Sequence, residues 1–70
     1  MEIDMVYVIK EVNSVSSDRT PLTTVNGCLS RAKATATKRQ MFKGTVMKVE
    51  TARGELVSYK KDGVWHDMTN

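Results

Sequence analysis

The sequence predicts a small α+β domain of β-α-β-β-β order, with one helix packed on one face of an antiparallel sheet that ends in a three-stranded meander. Three observations carry this. The chain opens on a β-branched segment, its middle repeats apolar residues at spacings of three and four, and its last third holds two turn signals, at Gly54 and at Asp62-Gly63.

Residues 2–12, rich in Val, Ile and Tyr, read as a strand. Ile3, Met5, Tyr7 and Ile9 alternate with Val6, Val8 and Val12, so both of its faces are apolar and both are expected to be covered. The serine-rich stretch that follows, 13–20, reads as a loop.

Thr20-Pro21 fits a helix start, with threonine capping and proline at the first helical position, where its missing N–H costs nothing. Leu22, Val25, Leu29, Ala32 and Ala36 then form a stripe, with Cys28 at its edge, and the helix is expected over about 21–39. A competing reading makes Asn26-Gly27 a hairpin turn between 22–25 and 28–30. The helix is preferred because Gly27 costs it only about 1 kcal/mol and the stripe continues across it.

The meander occupies about 45–69. Asp62-Gly63 suits a two-residue type I′ turn, which pairs Lys61 with Val64 and Tyr59 with His66. A three-residue loop at Ala52-Arg53-Gly54 then sets Val49 opposite Val57 and Met47 opposite Tyr59. That register places Met47, Val49, Val57, Tyr59, Val64 and Met68 on one face, where the helix would cover them. Lys48, Lys60 and Trp65 fall on the other face, which has the composition of an association surface and would also serve a symmetric homodimer.

Residues 1–70 read as one domain, and a core of this size rarely supplies more than about 3 to 5 kcal/mol without a staple. One cysteine and one histidine allow neither an internal disulfide nor a zinc site of four protein ligands. No metal and no cofactor is expected. A lone thiol without a signal-peptide pattern suits the cytoplasm, and the longest apolar run, Met5–Ile9, is too short to cross a membrane. Cys28 is expected to be a buried, inert thiol. No acid pair, Cys-His pair or phosphate loop can be nominated, so the chain is not read as an enzyme.

Charge carries the functional signal. The net charge is +3, and the 31 residues between Asp18 and Glu50 hold seven cations and no acid. Mapped on the expected elements, Arg31, Lys33 and Lys38 lie on the helix, Arg39 and Lys43 at its exit and Lys48 on the far sheet face. Such a one-sign field steers anionic partners. The candidate partner-binding residues are Arg31, Lys33, Lys38, Arg39, Lys43, Lys48, Lys60 and Trp65. They point to a regulator or inhibitor that docks on a protein with an acidic surface. The alternative is a nucleic-acid-binding module that contacts phosphates through the basic helix. In size and style the chain resembles the compact accessory proteins that bacteriophages and mobile elements encode to bind host factors. This resemblance implies a host-cell macromolecule as partner and names no residue.

Overall fold

The computed structural model describes residues 5–68. Its elements are β1 (Met5–Val12), β2 (Thr23–Gly27), α1 (Leu29–Arg39), β3 (Val46–Thr51), β4 (Leu56–Lys61) and β5 (Val64–Asp67). The strands form an antiparallel sheet of order β2-β1-β3-β4-β5, and α1 lies on one face across β2, β1 and β3. The α+β architecture read from the sequence is therefore present, with β3-β4-β5 as its meander. Residues 2–4 of the expected first strand and residue 69 of the meander lie outside the described residues.

The expected helix over 21–39 is corrected. Only Leu29–Arg39 is helical, and Thr23–Gly27 is an edge strand paired with β1 from Met5↔Gly27 to Ile9↔Thr23. Without it, β1 would leave a row of unpaired backbone groups, and the β-branched run Thr23-Thr24-Val25 suits the pairing. The amide of Leu22 donates to the Ile9 carbonyl at 2.7 Å and begins the ladder. Long-range strand pairing thus overrides the local Thr20-Pro21 start signal. At Gly27 (φ +133°) the chain turns from strand toward helix, and a Cβ there would sit 3.3 Å from Arg31 Cδ, so the position needs glycine. Cys28 is then the extended residue before the first helical turn, and it is exposed rather than buried in the stripe.

Ala32 and Ala36 are the buried positions of α1, and their small side chains let it sit close to Tyr7, Ile9, Val25, Met47 and Val49. Fully burying a side chain such as Ile9 or Val49 contributes about 1.5–3 kcal/mol. Leu29, Val57 and Trp65 close the sides of this core. Lys38 and Arg39 occupy the last helical turn, where cations offset the dipole.

The meander register is also corrected. The three-residue loop forms as expected: the Thr51 amide donates to the Glu55 carbonyl at 2.8 Å and Gly54 has φ +91°. Glu50 pairs with Leu56, but a bulge then shifts the ladder by one, so Val49 faces Ser58 and Met47 faces Lys60. A one-residue slip turns every later side chain to the other face. The Asp62-Gly63 turn and the pairs Lys61↔Val64 and Tyr59↔His66 are as read. Their faces are exchanged, so Trp65 meets the helix side and Tyr59 stacks on His66, ring centroids 4.8 Å apart, on the opposite side. The bulge thus sets the larger apolar ring against the core and the phenol on the other face, both half-buried.

On that opposite face the loop after β1 folds back over charged residues. Lys10 and Lys48 are cross-strand neighbours, and the Glu50 carboxylate reaches both, at 3.1 and 3.4 Å. Asp18 pairs with Lys10 at 2.6 Å, and Lys48 Nζ donates to the Ser17 carbonyl at 2.9 Å.

Candidate partner-binding surface

The structure sorts the eight candidate residues into two groups. Trp65 leaves the free sheet face proposed for it; it is half-buried against the side of the core on the helix face, with Lys33 Nζ 5.5 Å from the ring centroid. Lys33 also pairs with Asp67 at 2.6 Å, an arrangement that holds the Asp67 carboxyl below its ordinary range. Lys60 likewise moves to the helix side, where its Nζ donates to Thr37 Oγ1 at 3.3 Å. Lys48 stays on the far face but is only 8% exposed, held by Glu50 and Ser17. These four residues are engaged inside the fold.

Arg31, Lys38, Arg39 and Lys43 are exposed and make no ion pair among the described residues. Arg31, Thr35 and Arg39 follow one another at i, i+4 spacing along the helix flank beside β2, and with Thr23, Thr24 and Asn26 they line a shallow polar cleft. Lys38 stands on the outer face with Ser30 and Ala34. Lys43 lies in the turn after the helix, beside Thr37, Gln40, Met41 and Phe42. With Arg19, which is also exposed and without an ion pair among the described residues, the helix side and its exit are thus the uncompensated part of the basic stretch.

That exit is built around Glu11, a residue the sequence reading did not single out. Its carboxylate accepts from the amides of Met41 (3.1 Å) and Phe42 (2.9 Å) and from the Thr45 hydroxyl (2.7 Å). Gln40 Nε2 adds bonds to the Phe42 carbonyl at 3.1 Å and to Thr45 Oγ1 at 3.1 Å. Burial pushes the Glu11 carboxyl up, but donation by Thr45, Phe42 and Met41 outweighs it and holds the group below the usual glutamate range. The turn therefore has a fixed backbone, from which Met41 and Phe42 project into solvent. Arg19 approaches from the opposite loop and lines a cleft with Glu11, Leu22, Met41 and Phe42. In the sequence, the available signal was two large apolar residues in a connection that belongs to no alternating pattern.

Among the described residues no three His, Cys, Asp or Glu side chains come together as a metal site, and no helix is long and apolar enough to cross a membrane. The described surface offers cations and an apolar turn, chemistry suited to holding a partner.

No family model and no curated protein matches the chain. Among solved structures, AcrIF9 superposes with a TM-score of 0.86 and 41% sequence identity, over 97% of this chain and 91% of its own. AcrIF9 is an anti-CRISPR protein. With that identity sustained over nearly the whole length of both molecules, the chain belongs to the AcrIF9 family.

Proposed function

We propose that this protein is a small, non-enzymatic anti-CRISPR inhibitor that acts by docking on an acidic protein surface of a CRISPR effector complex. Membership of the AcrIF9 family supports the inhibitor class and a macromolecular partner. The observation that carries the rest is the clustering at the helix exit of Lys38, Arg39 and Lys43, exposed and without an ion pair among the described residues, with Arg31 along the same helix, while Lys33, Lys48 and Lys60 are engaged within the fold. Cations in that state keep their charge available to a partner, speed encounter and fix orientation. The site of action is the cytoplasm of the host cell.

The test is a reversed-charge variant, Lys38→Glu/Arg39→Glu/Lys43→Glu, assayed for inhibition of a purified CRISPR effector complex. All three side chains are exposed, so the variant keeps the wild-type circular dichroism spectrum, with a modest fall in melting temperature because Lys38 and Arg39 no longer offset the helix dipole. Inhibition falls by at least about tenfold, the equivalent of 1.4 kcal/mol. A folded variant that inhibits as well as wild type rejects this surface.

A second reading draws on the Arg31, Thr35 and Arg39 flank, where hydroxyl donors between two guanidinium groups suit phosphate oxygens. In that reading the partner contact is nucleic acid. Binding of labelled duplex to the isolated chain would then fall steeply with salt, and nuclease treatment of the effector would abolish docking.

A further inference from the structure

We propose that Met41 and Phe42 form a rigid apolar knob that inserts into an apolar pocket rimmed by carboxylates on the protein partner. This rests on the docking function above and identifies where the contact is anchored.

Met41 is 68% and Phe42 61% exposed, and Leu22, at 36%, lies beside them. Phe42 is the chain's only phenylalanine, and the core is assembled without it. Adjacent large apolar side chains that face water contribute nothing to folding, whereas a partner pocket would desolvate them. Single exposed hydrophobes are ordinary, but this pair differs in its support. Glu11, Gln40 and Thr45 fix the turn through side-chain bonds of 2.7 to 3.3 Å, with the Glu11 carboxylate itself largely buried. A backbone held in place before contact loses less entropy on binding, which favours a central anchor.

The surroundings define the complement. Arg19 borders the knob on one side and Lys43 on the other, and Lys38 and Arg39 end the helix that leads into it. Glu11 is turned inward onto amides and a hydroxyl, so the knob itself presents no free carboxylate. An apolar centre in a cationic ring is complementary to an apolar pocket with Asp or Glu at its mouth. A base-stacking role fits less well. Met41 and Leu22 offer aliphatic surface and only Phe42 an aromatic face, whereas single-stranded nucleic acid is held by successive aromatic platforms.

The test places a photoreactive benzoyl-phenylalanine at position 42 of the full chain in host cells carrying the CRISPR system, with the same group at Ala34 as control. After irradiation, cross-linked peptides are sequenced by mass spectrometry. The expected result is a cross-link from position 42 to an apolar segment flanked by Asp or Glu in an effector protein. If that kind of segment belongs to a different protein, the knob stands and the CRISPR target falls. Cross-linking to nucleic acid, or none from position 42 while the effector still binds, overturns the knob and leaves the docking function intact. In parallel, Phe42→Ala keeps the wild-type melting curve and weakens effector binding by about 30-fold, the size of an interface hot spot. Phe42→Leu, which retains apolar bulk, stays within about fivefold of wild type. A folded Phe42→Ala protein that binds normally also overturns the proposal.

Discussion

The amide of Phe42 donates to the carboxylate of Glu11 at 2.9 Å, so a residue of the first strand fixes the turn by which the chain leaves its helix. The two are 31 residues apart, and the contact spans the boundary between core and binding surface. Replacing Glu11 with Gln keeps its shape but removes one acceptor oxygen from a site with several donors. Urea unfolding at pH 7 should show a loss of about 1–3 kcal/mol, the range for unsatisfied buried groups.

The same contact makes stability depend on acid. Because the folded carboxyl lies below its ordinary value, its stabilisation is complete above about pH 4.3 and is lost as pH falls through the folded value. Other carboxylates shared by both proteins, including Asp18 and Asp67, cancel in the difference between wild type and Glu11→Gln. That difference should be flat from pH 7 to about 5 and shrink toward pH 3. A gap that stays constant to pH 3 would remove Glu11 from this role.

Glu50 holds two lysines that face each other across β1 and β3, and it is only 5% exposed. Glu50→Gln leaves Lys48 with no carboxylate partner among the described residues and Lys10 with Asp18 alone, and should cost about 3 kcal/mol in chemical denaturation. Adding Lys48→Met to that variant should recover part of the loss, because one uncompensated charge is removed. A loss within 0.5 kcal/mol, about the scale of an ordinary surface change, would show the pair to be solvated.

Trp65 is a stability residue in this fold. Its ring lies between the core and Lys33. Trp65→Ala should therefore lower the unfolding free energy by about 2–3 kcal/mol, somewhat below the range for fully buried aromatics. An association surface on the free sheet face would instead give a variant with normal stability and impaired binding.

These results show where the sequence was readable. The apolar stripe at Leu29, Ala32 and Ala36, the Asp62-Gly63 turn and the loop at Gly54 are local signals, and each is realised. The bulge beside Val57 is not local. It depends on which ring, Trp65 or Tyr59, meets the helix, and alternation alone cannot register an extra residue. The strand at Thr23–Gly27 depends on an open edge of β1, which no helix-start signal reports. For the surface, charge segregation identified the basic stretch. Ion pairing then removed Lys33 and Lys48 from the free set, and Lys60 was drawn to the helix side; only tertiary structure decides this. Arg19, Met41 and Phe42 were legible as residues but not as neighbours.

A covalent footprint of lysine amines and arginine guanidinium groups, in the free chain and in the chain bound to a purified CRISPR effector complex, reads the docking surface directly. Lys38 and Lys43 flank the helix exit, whereas Arg53 is exposed in the β3–β4 loop at the other end of the sheet. Binding is expected to protect Lys38 and Lys43 and to leave Arg53 as reactive as in the free protein. Protection of Arg53 with Lys38 and Lys43 still fully labelled would contradict docking through the helix exit.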